Sequence, residues 1–130
     1  MENQKIIVDT SIIIEHLRKE IKSKSKLYSI INDYEIYASA ITEFELFAGA
    51  KDKRKETDII NILSVIKILP FTSEIAQEAS KIFLDLKKSN QSIEISDLFI
   101  GTTSMVFGIP LFTLNIKHFN RINNIVLFKN

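Results

Sequence analysis

Short apolar runs rich in β-branched residues alternate along this chain with segments in which apolar residues recur at helical spacing. This order predicts a parallel sheet, because each parallel strand needs a helical crossover that covers one face of the sheet. The length of 130 residues and the 45% hydrophobic fraction fit one core, so we predict a single domain over residues 1–130. The predicted fold class is α/β, a three-layer α/β/α sandwich with a central, mostly parallel sheet.

The predicted elements follow from periodicity and from the residues that end each segment. Strands are predicted at residues 5–8, 35–39, 68–69, 110–113 and 125–128. Helices are predicted at about residues 9–17, 25–32, 42–50, 56–66, 73–88 and 96–107. The helix 73–88 is predicted to turn five apolar side chains inward: Ile75, Ala79, Ile82, Phe83 and Leu86. Four phenylalanines at helical spacing are expected to be core or dimer contacts: Phe44, Phe47, Phe83 and Phe99.

Composition restricts the class of protein. The net charge of +1 gives no global basic field, but basic residues concentrate in two clusters, at residues 18–26 and 51–55. These clusters are ordinary solvated surface unless both flank an acidic site, in which case they would contact phosphates. The chain contains no cysteine, so a disulfide or thiolate metal site is excluded. No apolar run is long enough to span a membrane and no signal-peptide pattern is visible, so we expect a cytoplasmic protein without membrane contact.

Acidic residues stand where a parallel sheet would gather its functional groups. Asp9 directly follows the first predicted strand, and Glu45 and Asp97 lie in the first turns of predicted helices. These helices would converge on the carboxyl ends of the strands. Carboxylates about 4 Å apart repel by roughly 4 kcal/mol at an effective dielectric near 20, so such a cluster holds either protons or a hard divalent cation.

The same residues also have simpler interpretations. Asp9 is in the position of a helix N-cap, and carboxylates in a first turn interact favourably with the helix dipole. A zinc site is not favoured, because His16 and His118 are the only histidines and cysteine is absent.

Four short sequence motifs distinguish between these interpretations. They are residues 7–11 (IVDTS), 39–50 (SAITEFELFAGA), 96–104 (SDLFIGTTS) and 110–119 (PLFTLNIKHF). In this order they resemble the motifs of the PIN-domain family, and the resemblance covers nearly the whole chain. The second motif of the family has a glutamate four residues before a glycine, which selects Glu45 rather than Glu43.

The resemblance implies both an activity and partners. PIN domains of this size are typically VapC toxins of VapBC toxin–antitoxin pairs. The chain is therefore expected to be an endoribonuclease dependent on Mg²⁺ or Mn²⁺, to form a homodimer, and to be neutralised by a VapB-type antitoxin. Asp9, Glu45 and Asp97 would be its catalytic metal ligands, and RNA its substrate. A second group would orient these ligands or contact phosphate: Thr10, Ser11, Thr113 and Asn115.

The closing motif departs from the family pattern in one respect. PIN domains often carry a fourth acid there, and in this chain the two candidate positions hold Asn115 and His118. His118 is thus a possible fourth ligand without negative charge, and a second metal is expected to bind weakly or only with substrate phosphate. We expect Glu94 to be an exposed loop acid and His16 to be structural.

Two other classes of protein remain open on the sequence. A PIN-like module without catalytic activity would bind RNA or protein, and the missing fourth acid is its support. A different phosphoryl-transfer enzyme on a similar sheet is less well supported. Asp9 lacks the second aspartate, two residues on, that haloacid-dehalogenase phosphatases use, and it lacks the adjacent acidic pair of response-regulator receivers.

Overall fold

A four-stranded parallel sheet forms the centre of the protein in the computed structural model, which describes residues 3–130. Its strands are β1 (Gln4–Val8), β2 (Tyr34–Ser39), β3 (Lys67–Leu69) and β4 (Leu111–Phe112). They lie in the order β3-β2-β1-β4, and every neighbouring pair is parallel. The chain builds outward from β1 to β3 and then returns to the other side of β1. The order therefore reverses between β1 and β4, and α/β proteins bind ligands beyond the carboxyl ends of strands at such a switch point.

Within the described part of the chain, six α-helices cover the sheet: α1 (Thr10–Arg18), α2 (Ala40–Ala48), α3 (Lys53–Leu63), α4 (Ser73–Lys88), α5 (Ile95–Phe107) and α6 (Ile116–Phe119). Because side chains alternate along a strand, Ile6 and Val8 enter one core whereas Ile7 enters another. The first core contains residues of α1, α2 and α3, and the second contains residues of α4, α5 and α6. The predicted α/β/α class is confirmed, with a sheet that is entirely parallel.

Two predicted elements are wrong. Residues 25–32, predicted as a helix, form a series of turns after a short 3₁₀ helix (Lys22–Lys24). The apolar spacing that suggested a helix comes from Leu27 and Ile30, which are fully buried under the first core. The predicted strand at 125–128 is reduced to a single parallel bridge between Leu111 and Leu127.

One predicted core position is also wrong. Phe83 is 45% exposed and does not point inward, although Ile75, Ala79 and Leu86 of the same helix are buried. Phe44 is 69% exposed, so of the two roles predicted for it, core or dimer contact, the dimer contact stays a prediction. Apolar residues at the edge of a helical stripe satisfy the sequence pattern without reaching the core, which explains the error.

Within residues 3–130 no helix has the length and apolar character needed to cross a bilayer. A cytoplasmic location stays a prediction.

Candidate active site

Asp9 lies at the carboxyl end of β1, next to the switch point of the sheet. It occupies the N-cap position of α1, but its side chain makes no capping hydrogen bond. Instead Asp9 Oδ2 accepts hydrogen bonds from Ser11 Oγ at 2.8 Å and from Thr113 Oγ1 at 2.6 Å. The residue is only 2% exposed. The simple interpretation of Asp9 as a helix cap is therefore not supported by the geometry.

The two hydroxyl donors to Asp9 are themselves oriented by the backbone. Ser11 Oγ accepts from the Leu114 N–H at 3.1 Å, and Thr113 Oγ1 accepts from the Asn115 N–H at 2.9 Å. Each hydroxyl oxygen is thus occupied as an acceptor while its proton is directed to the carboxylate. These bonds join the end of β1 to the segment after β4, so the switch point is closed by a polar network around one carboxylate.

Glu45 reaches the site from α2. Since α2 begins at Ala40, Glu45 lies in the second turn, and its predicted place in the first turn is wrong. Thr10 Oγ1 donates to Glu45 Oε1 at 2.7 Å and lies 3.0 Å from Thr42 Oγ1. Because Thr10 has one hydroxyl proton and gives it to the carboxylate, Thr42 supplies the proton of the second contact. Glu45 is thereby linked to the first turn of α1.

Asp97 lies in the first turn of α5, as the sequence predicts. Its side chain is 14% exposed, and His118 Nδ1 of α6 lies 4.0 Å from Asp97 Oδ2. In the part of the chain that the structure describes, no Lys or Arg forms an ion pair with Asp9, Glu45 or Asp97. The negative charge of the three side chains is therefore left without a lysine or arginine partner.

The carboxylates are close enough to shift one another's pKa values. Burial, together with the negative charges of Asp9 and Glu45, raises the pKa of Asp97 from 3.8 to about 6. Burial also raises the pKa of Asp9, against the lowering effect of its hydrogen bonds from Thr113 and Ser11. The surroundings of the site thus do not fully stabilise its negative charge. Binding of either a proton or a cation would reduce the repulsion among the carboxylates.

The carboxylates of the site are separated from one another but are oxygen donors of the kind that a divalent cation binds. Over residues 3–130, no group of three or more His, Cys, Asp or Glu side chains stands close enough to enclose an ion. The chemistry of the donors nevertheless fits a hard cation, because three carboxylates influence one another and one oxygen of Asp9 and one of Glu45 are held by hydroxyl donors. Such a cation would complete its shell with water or phosphate oxygens.

The remaining sequence candidates divide into two groups. Thr10, Ser11, Thr113 and the backbone of Asn115 join the network described above, and His118 lies beside Asp97. Glu94 is exposed at the N-cap of α5, and His16 binds Ser25 Oγ through Nδ1 at 2.7 Å, away from the carboxylates.

Sequence reasoning missed Thr42. The signal was available, since a hydroxyl three residues before Glu45 lies on the same side of a helix. It also missed Arg18 as an individual residue. Arg18 borders a groove of about 470 Å³ that is also lined by Glu45 and by Arg54 and Lys55 of the second basic cluster. A second groove, of about 590 Å³, is lined by Ser11, Asn115, Arg18 and Lys19.

The two basic clusters therefore do border the acidic site. Asp52 and Asp58 also line the first groove, so its charge is mixed rather than uniformly positive. Arg18 is exposed and lines both grooves. Neither Arg18 nor Arg54 has an ion-pair partner within residues 3–130.

The fold, an α/β/α sandwich, and the carboxylates at its switch point together define a class of protein. Comparison with known proteins identifies this class. The PIN domain family model matches residues 6–125, and the chain belongs to this family. Among curated relatives, ribonuclease VapC1 of Methanocaldococcus jannaschii is 33% identical over 122 residues, 93% of this chain and 83% of the relative. Ribonuclease VapC of Rickettsia bellii is 36% identical over 124 residues, 90% of each chain.

Solved structures agree with this assignment. VapBC2 of Rickettsia felis, crystallised with a promoter DNA fragment, superposes with a TM-score of 0.82 at 27% identity and covers 96% of this chain and 98% of its own. VapBC-1 of nontypeable Haemophilus influenzae superposes with a TM-score of 0.84 at 23% identity, covering 97% and 98%. The second likeness is one of fold alone.

Proposed function

We propose that this protein is the toxin of a type II toxin–antitoxin pair, an endoribonuclease that cleaves RNA phosphodiester bonds at the acidic site. The PIN-domain match and the curated relatives named ribonuclease VapC support the activity. The single observation that carries the site is the absence, within residues 3–130, of a Lys or Arg ion pair to Asp9, Glu45 or Asp97.

We infer that the site works with Mg²⁺ or Mn²⁺, held by Asp9, Glu45 and Asp97. When bound, such an ion supplies a polarised phosphate and an activated water for in-line attack. Every other contribution comes from the chain itself. Ser11 and Thr113 fix the orientation of the Asp9 carboxylate, and Thr10 does the same for Glu45. Fixing ligand orientation in this way strengthens metal binding.

RNA would reach the carboxylates along the two grooves. Arg18 and Arg54 line the first groove and have no ion-pair partner among the described residues 3–130. Guanidinium groups bind phosphate oxygens in a bidentate manner. The Asn115 side chain, exposed beside the second groove, would contact the phosphate next to the scissile bond. Phosphate contacts of this kind make binding fall as salt rises.

A VapB-type antitoxin and a second copy of the chain are the proposed protein partners. Solved VapBC complexes share the fold over almost the full length of this chain, which supports an antitoxin. Exposed apolar side chains are available for these contacts, among them Phe44 at 69% and Phe83 at 45% exposure. The chain is proposed to act as a single PIN domain over residues 1–130.

The test of this function is cleavage of a mixed RNA pool by purified protein with Mn²⁺, with Mg²⁺ and with EDTA. Asp97→Asn protein, prepared identically, controls for contaminating nuclease. Metal-dependent cleavage by the wild type that the variant lacks is the expected result. Equal traces of cleavage from both proteins, without metal binding by the wild type, would reject the enzyme and leave a PIN-like binding module.

A further inference from the structure

Leu114, in the segment between β4 and α6, is an apolar residue that remains exposed at the border of the site. It is 46% exposed. Its backbone is nevertheless held, since Leu114 donates its N–H to Ser11 Oγ at 3.1 Å. The N–H of the next residue, Asn115, is donated to Thr113 Oγ1 at 2.9 Å. The backbone of Leu114 is therefore fixed, but the interior of the protein does not cover its side chain.

The same hydrogen bonds connect Leu114 to the buried carboxylate of Asp9. Ser11, which accepts from the Leu114 N–H, donates its own proton to Asp9 Oδ2 at 2.8 Å. Thr113, which precedes Leu114, donates to the same oxygen at 2.6 Å. The network that orients the Asp9 carboxylate therefore also sets the position of Leu114. A group that packs on Leu114 would lie at a defined place beside the carboxylate.

The second groove, which Leu114 lines, combines apolar, polar and cationic residues. Leu114 and Ile14 are its apolar residues, and Asn115 is polar. Arg18, which also lines this groove, has no ion-pair partner within residues 3–130. The groove therefore offers both an apolar surface and a positive charge beside the carboxylate network.

A single-stranded nucleotide has chemistry that matches this groove. Its phosphates carry negative charge, which arginine binds, and every base has a flat face that packs on an apolar surface. When a phosphate is cleaved at the carboxylates, a base of one of the two adjoining nucleotides is the apolar part of the RNA closest to that phosphate. Leu114 stands beside the carboxylate network, where such a base would lie.

We propose that Leu114 is a substrate-binding residue, on which a nucleobase next to the scissile phosphate packs. This inference rests on the proposed function, because it assumes that RNA is cleaved at the acidic site. It goes beyond that proposal by adding a contact to a base. An aliphatic side chain forms no hydrogen bond with the edge of a base, so the contact positions the base without selecting its identity.

The test compares a labelled RNA that spans a cut site of the wild type with two matched RNAs, each lacking one of the two bases that flank this site. On the intact RNA, Leu114→Ala should raise KM on the order of 10-fold and leave kcat nearly unchanged, because packing on the base stabilises substrate and transition state equally. On the RNA without the contacted base, the wild type and Leu114→Ala should have equal KM values, since the contact is absent from both.

Two further variants separate base packing from a disturbance of the loop. Ile116→Ala is the matched control, because Ile116 is 45% exposed two residues away and lines neither of the two grooves described above. It should cleave all three RNAs as the wild type does. Leu114→Met keeps an apolar side chain of similar volume, so its KM for the intact RNA should stay within about 2-fold of the wild-type value.

The outcomes separate this inference from the function on which it rests. Equal losses of Leu114→Ala on the intact RNA and on both base-deficient RNAs would overturn the base contact and leave the endoribonuclease standing. Unchanged cleavage of the intact RNA by Leu114→Ala would also overturn it, and would leave a protein partner as the occupant of the groove. Failure of the wild type to cleave RNA with either metal would overturn the proposed function, and this inference with it.

Discussion

Asp9 and Asp97, two carboxylates of the candidate site, are held by the protein in different ways. Asp9 is almost fully buried at the switch point of the sheet, and two hydroxyl groups donate to one of its oxygens. Asp97, on the first turn of α5, has no such donors among the hydrogen bonds of residues 3–130, and its neighbour His118 lies 4.0 Å away. Both are acids with a raised pKa, but only one is built into a polar network.

This difference indicates which part of the site the fold fixes in advance. The network around Asp9 joins residues that are 104 positions apart in sequence, so it forms only when β1 and β4 are paired. Asp97 is positioned by its helix alone and carries charge that its surroundings do not stabilise. A cation bound between Asp9 and Asp97 would use Asp9 as a rigid ligand. Its positive charge would also favour the ionised form of Asp97.

The largest expected effect is the loss of RNA cleavage when either Asp9 or Asp97 is changed. Both carboxylates should be equally necessary for cleavage, although only Asp9 is held by hydroxyl donors. Asp9→Asn and Asp97→Asn should each reduce metal-dependent RNA cleavage by more than about 100-fold, since loss of an outer-shell partner alone costs about 10- to 100-fold. Single-turnover cleavage of a labelled RNA measures this. Asp33→Asn, at an exposed acid just before β2, is the control and should retain full activity. A small effect of either site variant would remove that residue from the metal site.

The next effect concerns the network around Asp9. Thr113→Val removes a hydroxyl that donates to Asp9 at nearly constant side-chain volume, so Mn²⁺ affinity and cleavage should each fall by about 10- to 100-fold. It should also raise the pKa of Asp9, because one stabilising hydrogen bond is lost. Isothermal titration with Mn²⁺ measures the affinity.

Thr103→Val is the matched control for this substitution. Thr103 is equally buried, and its hydroxyl donates to the Phe99 carbonyl of its own helix at 2.7 Å. The control should affect stability without a comparable loss of Mn²⁺ affinity. Equal losses in the two variants would mean that the hydroxyl of Thr113 does not act through Asp9.

A smaller effect should appear in the stability of the metal-free protein. The folded state raises the pKa of Asp97 from 3.8 to about 6, so it binds this proton more tightly than the unfolded state. Stability should therefore fall as the pH rises through the window from about 4 to about 6. The full shift would amount to about 3 kcal/mol, but partial contact with solvent reduces it to about 1–2 kcal/mol.

The Asp97→Asn variant tests directly how much the ionised Asp97 carboxylate lowers the stability of the folded protein. Without metal, the variant should be more stable than the wild type by about 1–2 kcal/mol at pH 7.5, and the gain should vanish near pH 4. Urea denaturation at both pH values measures it. A destabilised variant at pH 7.5 would show that Asp97 is stabilised by its surroundings, as Asp9 is.

The smallest effect concerns the two grooves beside the site, one lined by Glu45 and the other by Ser11 and Asn115. Arg18→Gln should weaken RNA binding a few-fold and reduce the slope of log affinity against log salt by about 1, as expected for one lost phosphate contact. Filter binding at several salt concentrations measures the slope. Lys81→Gln is the control, because Lys81 pairs with Glu78 on α4 and does not line either groove. Identical slopes for both variants would exclude Arg18 from the RNA path.

The sequence predicted the parts of the molecule that depend on local pattern. The helix at 73–88 matches α4 residue for residue, because it has a capping threonine before it and a regular apolar stripe. Asp9 and Asp97 could be selected because each opens a helix within a recognisable motif. The positions of these acids relative to the strands followed from the parallel topology alone.

The parts that the sequence did not predict depend on tertiary contacts. Helix α6 has four residues, too few for a periodic signal, and its place is set by the burial of Phe119 against α5. The sequence of residues 25–32 suggests a helix because Leu27 and Ile30 stand at helical spacing, and both are buried. No helix forms there; Ser25 and Lys22 form hydrogen bonds with groups of α1. The bond between Thr113 and Asp9 crosses almost the whole chain, and no local pattern records it.

The most direct test of the account is an NMR titration of the Asp97 side-chain carboxyl, without metal and with saturating Mg²⁺. We predict a pKa near 6 for Asp97 in the metal-free protein and a clear fall when Mg²⁺ is added, because a cation among the carboxylates favours the charged form. The Asp9→Asn protein should lose much of this response to Mg²⁺. A pKa of Asp97 that Mg²⁺ leaves unchanged would contradict the claim that these carboxylates share a divalent cation.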